Sequence, residues 1–241
     1  MVTVDSIEGL LHDTGEKPAS AQHFERESER MLRIDVDGGV WLKPGAAIAY
    51  RGQLKFERLH TLAARSLIDA AMRETSPLVR ASGTGRLFCA HRGLHVRPVR
   101  LNGDTIVVAW PDLLAFEESL TFKTRLVAHG IGIAAGGLTA VELSGHGSLA
   151  IVSHGEPLTL SVTPDAPLST DPHATLAWSG SLTPALKTDL SWRSIVRHGG
   201  AEPVQMRFEG RGFVAVQPYE DASRFTAKFN PFARIKSLVA G

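Results

Sequence analysis

Apolar residues along this chain recur mostly in short alternating runs. Leu32, Ile34 and Val36 alternate with charged residues, the period of a half-exposed strand. Residues two apart share a face of a strand, so Leu87 pairs with Cys89, Leu149 with Ile151, and Val214 with Val216. The opposite faces carry Phe88 and Ala90, Ala150 and Val152, and Ala215 and Gln217. Both faces are largely apolar, which predicts strands covered on two sides. One stretch differs. Leu59, Leu62, Ala63, Leu67, Ala70 and Ala71 fall near a helical stripe that Pro77 ends, predicting a single helix near residues 58–74. Residues 129–137 are Gly-rich and read as a loop, and Asn102-Gly103 and His154-Gly155 read as turns. The expected class is all-β with one inserted helix.

Two short signatures repeat. The first is an apolar residue, an alanine, an aromatic, and a leucine four positions on. It appears as Ile48-Ala49-Tyr50 with Leu54, Leu114-Ala115-Phe116 with Leu120, and Leu176-Ala177-Trp178 with Leu182. The second is a Gly-x-Gly step entering an apolar strand, at Gly83 and Gly85, Gly145 and Gly147, and Gly210 and Gly212. The aromatics lie 66 and 62 positions apart, and the second glycines 62 and 65 apart. From Gly85 to Phe116 and from Gly147 to Trp178 the offset is 31. Interleaving at so constant an offset predicts a triplicated unit. Ile48, Tyr50 and Leu54 share one strand face and are expected to face a common core, as are their counterparts in the other two copies. Gly52, Glu118 and Gly180 lie between aromatic and leucine, where glycine permits a bend, and Glu118 departs from that pattern.

Three regions follow: a loose polar arm over 1–27, one β domain over 28–220, and a tail over 221–241. The tail has no acidic residue after Asp221, and its Phe225, Lys228, Phe229, Phe232, Arg234 and Lys236 follow an amphipathic rhythm with basic flanks. Such a rhythm suits a membrane surface or a docking partner, although Pro231 interrupts a continuous helix. Packing of the tail on its own body or on a sister subunit is the competing expectation.

With 241 residues, the chain is long enough to bury roughly 70% of its unfolded surface. Lys plus Arg number 26 against 25 acids, a net of +1, which gives no electrostatic drive toward nucleic acid. Cys89 is the only cysteine, so no intrachain disulfide forms and a reducing, cytoplasmic setting is expected. The N-terminal residues lack a long apolar core, and no run of the chain is apolar enough to be expected to span a bilayer.

Ser82-Gly83-Thr84-Gly85-Arg86-Leu87-Phe88, Gly136-Gly137-Leu138, Asp171-Pro172, Leu176-Ala177-Trp178, and Glu209-Gly210-Arg211-Gly212 running to Val216-Gln217 follow one another in a distinctive order. Over residues 30–218 they resemble the mitochondrial-biogenesis (altered inheritance of mitochondria) family. The segment from Pro44-Gly45 to Glu57 is similar to the family's opening repeat. The resemblance implies three tandem β-sandwich units in a pseudo-threefold arrangement, like those of the tryptophan RNA-binding attenuation protein (TRAP). It implies a family widespread in bacteria, with mitochondrial eukaryotic members and no established catalytic residue. RNA binding does not transfer on fold alone.

Candidate chemistry is sparse. Thiolate and imidazole are good zinc ligands, which makes Cys89, His91 and His95 metal candidates. Cys89, however, stands where Ile151 and Val216 stand, a small core position, and the two histidines flank an expected turn at Arg92-Gly93. His146 sits inside the second glycine step, where its counterparts are Thr84 and Arg211. No Gly-x-Ser-x-Gly elbow or phosphate-binding loop is present. No catalytic set, metal or cofactor is therefore assigned. The leading expectation is a non-enzymatic scaffold or interaction protein with an unidentified protein partner, peripheral membrane contact through the tail, and scope for homo-oligomerisation. A small-molecule or metal-binding β protein with an enzymatic role is the first alternative, and RNA binding the second.

Overall fold

A computed structural model describes residues 6–18, 20, 22–58, 78–127, 139–188 and 204–219. A short helix α1 (Ile7–Thr14) precedes strands β1 (Phe24–Ser28), β2 (Met31–Leu42), β3 (Ala47–Arg58), β4 (Val79–Cys89) and β5 (His95–Ala109). A 3-10 turn at Trp110–Asp112 leads into β6 (Leu113–Glu117), β7 (Thr121–Leu126), β8 (Thr139–Ser153), β9 (Leu158–Val162) and β10 (Leu168–Thr170). The chain continues through β11 (Thr175–Ser179), β12 (Ala185–Thr188), β13 (Val204–Phe208) and β14 (Gly212–Val216). The described residues are thus mostly strand, as the alternating pattern predicts. The helix expected near 58–74 lies outside the described residues except for Arg58, which ends β3. The Gly-rich stretch 129–137 lies outside them too.

The strands are antiparallel neighbours in the order β3-β4-β2-β6-β8-β5-β11-β14-β9, with β1 on β2 and β7 on β8. A smaller sheet runs β10-β13-β12. The aromatic of each sequence signature meets the same register position. Tyr50 faces Leu87, Phe116 faces Leu149, and Trp178 faces Val214, each partner two residues after a second glycine.

A Cβ on a second glycine would collide first with the Arg51 carbonyl at Gly85, the Ser119 hydroxyl at Gly147 or the Ser179 hydroxyl at Gly212, and a leucine crowds each position as well. A Cβ on Gly85, Gly147 or Gly212 would lie 3.2, 3.1 or 3.0 Å from the Cγ of Leu54, Leu120 or Leu182. These separations are inside the usual carbon contact distance of about 3.5–4.0 Å. The first glycines Gly83, Gly145 and Gly210 have φ of +124°, +113° and +114°, a region that side chains disfavour. The hairpins bend at these points. Tyr50 and Phe56 ring centroids are 5.2 Å apart, and those of Phe116 and Phe122 5.3 Å. Six residues of straight strand would separate each pair by about 20 Å. In β3 the bend passes through Gly52 at φ +96°. Between β6 and β7 it is a turn at Glu118-Ser119, and between β11 and β12 a turn at Gly180-Ser181. Asn102-Gly103 is not a turn between strands: it lies inside β5 at a register shift, with Gly103 at φ +97°.

Three apolar clusters fill the interior. One holds Leu32, Ile34, Leu87, Cys89 and Leu114; a second holds Phe116, Leu120, Leu143 and Leu149; a third holds Trp178, Leu182, Phe208 and Val107. Phe116 and Trp178 are 0% and 2% exposed. Tyr50 and Ile48 are 57% and 52% exposed, which corrects the expectation that they face the core. The reason is position in the sheet. Phe116 lies beside β2 and Trp178 beside β5, whereas β3 ends the row with β4 as its one strand neighbour among the described residues.

The end of the N-terminal arm joins the sheet. β1 pairs with β2, and Arg33 of β2 is fully buried beneath it. Its guanidinium donates to Glu25, to Glu27 at 3.2 Å and to the Lys17 carbonyl at 2.8 Å. Glu16 reaches Arg51 and Arg86, two cations directly opposite each other on β3 and β4, and Asp35 accepts from Arg86 at 2.6 Å. The surface pairs contribute little; the buried one is costly to break. Glu25→Ala with Glu27→Ala strands the Arg33 charge, an expected loss of about 3–5 kcal/mol in urea unfolding. Adding Arg33→Met is expected to restore most of it, and a triple variant no more stable than the double would contradict this role.

Candidate functional site

The exposed aromatic corner of β3 is the feature that most needs a partner. Every residue of β3 is exposed except Leu54, which is half-buried against Gly85. Alternation and the bend at Gly52 bring Ile48, Tyr50 and Phe56 to the surface at 52%, 57% and 37% exposure, rimmed by Arg51, Lys55 and Glu57. An apolar patch with a polar rim marks an interaction site. A long edge strand also offers unpaired backbone groups to an incoming strand.

The same corner occurs elsewhere in the molecule in covered form. Phe116 and Phe122 meet edge to face at 61°, as Tyr50 and Phe56 do at 63°. Trp41 of β2 lies over the Phe116 pair, with centroids 6.5 Å from Phe116 and 5.8 Å from Phe122. The arrangement that is bare on β3 is therefore a packed aromatic cluster on β6 and β7. Phe56, Phe122 and Trp41 were not singled out from sequence. The signal was available, since an aromatic stands six residues after both Tyr50 and Phe116.

A second feature is a charged cleft of about 390 Å³ lined by His23, Asp37, Gly39, Arg100, Glu117, Glu118 and Ser119. Gly39 leaves room for the Glu118 carboxylate, which pairs with Arg80 across it. That guanidinium holds Glu118 below the usual carboxylate range. Glu117 accepts from the Ser148 amide at 2.8 Å. A carboxylate held ionised by a guanidinium is a poor general acid at neutral pH. Two of the cleft's three acids, Glu117 and Glu118, bind the protein's own groups.

The metal candidates are not assembled as a site. Cys89 is fully buried in the first apolar cluster, and burial pushes its thiol up to about 12. His91 precedes the turn at Arg92-Gly93, and His95 on β5 lies 3.8 Å from Glu156. Among the described residues no three His, Cys, Asp or Glu side chains group as metal ligands. His146 is exposed and faces Asn102 in the ladder. Phe225, Lys228, Phe229, Phe232, Arg234 and Lys236 of the tail lie outside the described residues. Among the described residues no helix is long and apolar enough to cross a membrane.

The family model described as mitochondrial biogenesis AIM24 matches residues 23–219. The fold is similar to the crystal structure of a protein from Streptococcus pyogenes, with a TM-score of 0.66 and 17% identity, covering 88% of this chain and 97% of that one. No curated protein matches the chain.

His91 offers a direct check on the packing at the β4–β5 turn. Burial, with Lys43 and Arg92 nearby, lowers its imidazole from 6.5 to about 4. The unfolded chain then binds more protons between those values, so the contribution is whole above pH 6.5 and is lost as pH falls toward 4. Titration of the His91 ring by NMR is expected to give a midpoint near 4, with urea stability falling over the same window and less steeply in His91→Asn. A midpoint near 6.5 would contradict the burial.

Proposed function

Because this chain belongs to the AIM24 mitochondrial-biogenesis family, we propose that it is a non-enzymatic scaffold or interaction protein whose contact surface is the aromatic corner of β3. The family description names a biological process and no reaction. One observation carries the reading: Tyr50 is 57% exposed, while Phe116, in the same register position, is 0% exposed beneath Trp41. Covering what remains exposed of Tyr50 and Phe56 would add a fraction of the roughly 1.5–3 kcal/mol that full burial of such a ring contributes.

The finer architecture belongs to the same proposal. The three signature segments are copies of one unit set about a pseudo-threefold axis, in the manner of TRAP. The matching registers of Tyr50, Phe116 and Trp178, and the matching Leu–Gly contacts, support it. Peripheral membrane attachment through the basic, aromatic tail is an added contact in this reading.

Incorporation of a photoreactive phenylalanine in place of Tyr50, in cells, tests the surface. Covalent protein adducts are expected from position 50 and not from position 123, where the exposed Lys123 of β7 serves as the control. Equal yields at the two positions, or none at position 50, would refute the assignment.

A further inference from the structure

The net charge of +1 hides two opposed ends. Residues 1–16 carry Asp5, Glu8, Asp13 and Glu16 and no lysine or arginine. Residues 222–241 carry Arg224, Lys228, Arg234 and Lys236 and no acid. The ends thus stand at −4 and +4, which leaves +1 for everything between them.

The acidic end holds a helix whose apolar side is bare. Ser6 caps α1 by accepting from the Gly9 amide at 3.0 Å, and Thr14 donates back to the Leu10 carbonyl at 2.7 Å. At helical spacing Ile7, Leu10 and Leu11 share one side, and Glu8 and Asp13 border it. Those three apolar residues are 79%, 53% and 68% exposed, and α1 buries none of its residues. A helix this short is marginal in water unless its apolar side packs on something. The body holds α1 at its C-terminal end, where Glu16 reaches Arg51 and Arg86.

We propose that the C-terminal tail of the same chain docks on α1. Phe225 and Phe229 meet Ile7, Leu10 and Leu11, while Arg224 and Lys228 meet Glu8 and Asp13. Charge selects this face over the corner of β3, whose rim carries Arg51 and Lys55. Length permits the contact. Residues 220–241 follow the last described residue and reach roughly 70 Å when extended. A domain of this length has a radius of gyration of about 18 Å. Linkage within one chain raises the effective concentration toward the millimolar range, so a contact too weak between free segments still forms. The same rings and cations would meet a membrane, so attachment there requires release from α1.

A photoreactive phenylalanine in place of Phe229 in the full chain is expected to give adducts to residues 6–14 of that chain. Ile7→Ser with Leu11→Ser should cut their yield about tenfold. Urea unfolding of the body should not change, because α1 buries nothing. Glu8→Lys with Asp13→Lys should cut the yield roughly fivefold or more. Adding Arg224→Glu and Lys228→Glu should restore it. Adducts to β3 or elsewhere on the body, adducts joining isotope-labelled to unlabelled copies, or yields indifferent to the charge exchange overturn the proposal. Vesicles of phosphatidylcholine and phosphatidylserine in equal parts should lower the yield by competing for the tail. Vesicle binding with the adduct undiminished overturns the proposal as well. An adduct to α1 in a chain that ignores the vesicles ends the membrane contact and leaves this docking intact.

Discussion

A leucine side chain sitting where a glycine lacks one is the contact on which this molecule turns. At Leu54–Gly85, Leu120–Gly147 and Leu182–Gly212 the leucine Cγ occupies space that any Cβ would contest. Leu120 and Leu182 are 3% and 0% exposed, so each contributes about 1.5–3 kcal/mol through burial. That contact forms where the hairpin folds back on itself, and the preceding glycine supplies the left-handed backbone the fold-back needs. Without the bend, Phe116 and Phe122 would stand about 20 Å apart on a straight strand. With it they pack at 5.3 Å and form a surface that a neighbouring strand can cover.

The bent hairpins then need neighbours. β2 covers the corner of β6 and β7 with Trp41, and β5 supplies Val107 to Trp178. The corner on β3 has the same geometry and no cover among the described residues. Its exposure is thus a consequence of sheet order rather than of composition. The charged cleft contrasts with it: two of its three carboxylates, Glu118 and Glu117, already answer Arg80 and the Ser148 amide.

Much of this was legible in the chain. Strand content, the glycine steps and their pairing with the aromatics follow from spacing, because a two-residue period fixes which side chains share a face. The exposure of Tyr50 was not legible, since its local motif is the same as those of Phe116 and Trp178. Only the identity of the neighbouring strand separates them, and that is a long-range property. Arg33 was hidden for a similar reason: within an alternating run a charged residue reads as solvent-facing, and its burial depends on β1 folding over it with Glu25 and Glu27. Asn102-Gly103 has the composition of a hairpin turn, yet the ladder continues past it as a bulge because β8 extends beside it on both sides.

The most direct measurement is a double-mutant cycle in urea unfolding on Leu120→Ala and Gly147→Ala. A Cβ at position 147 meets the Ser119 hydroxyl before the Leu120 Cγ, so the cycle is run in a Ser119→Gly background. There, shortening Leu120 makes room for the new methyl if the leucine and the glycine act as one contact. The double variant should then be more stable than the two single losses combined, by about 1 kcal/mol or more. Strictly additive losses would contradict the account.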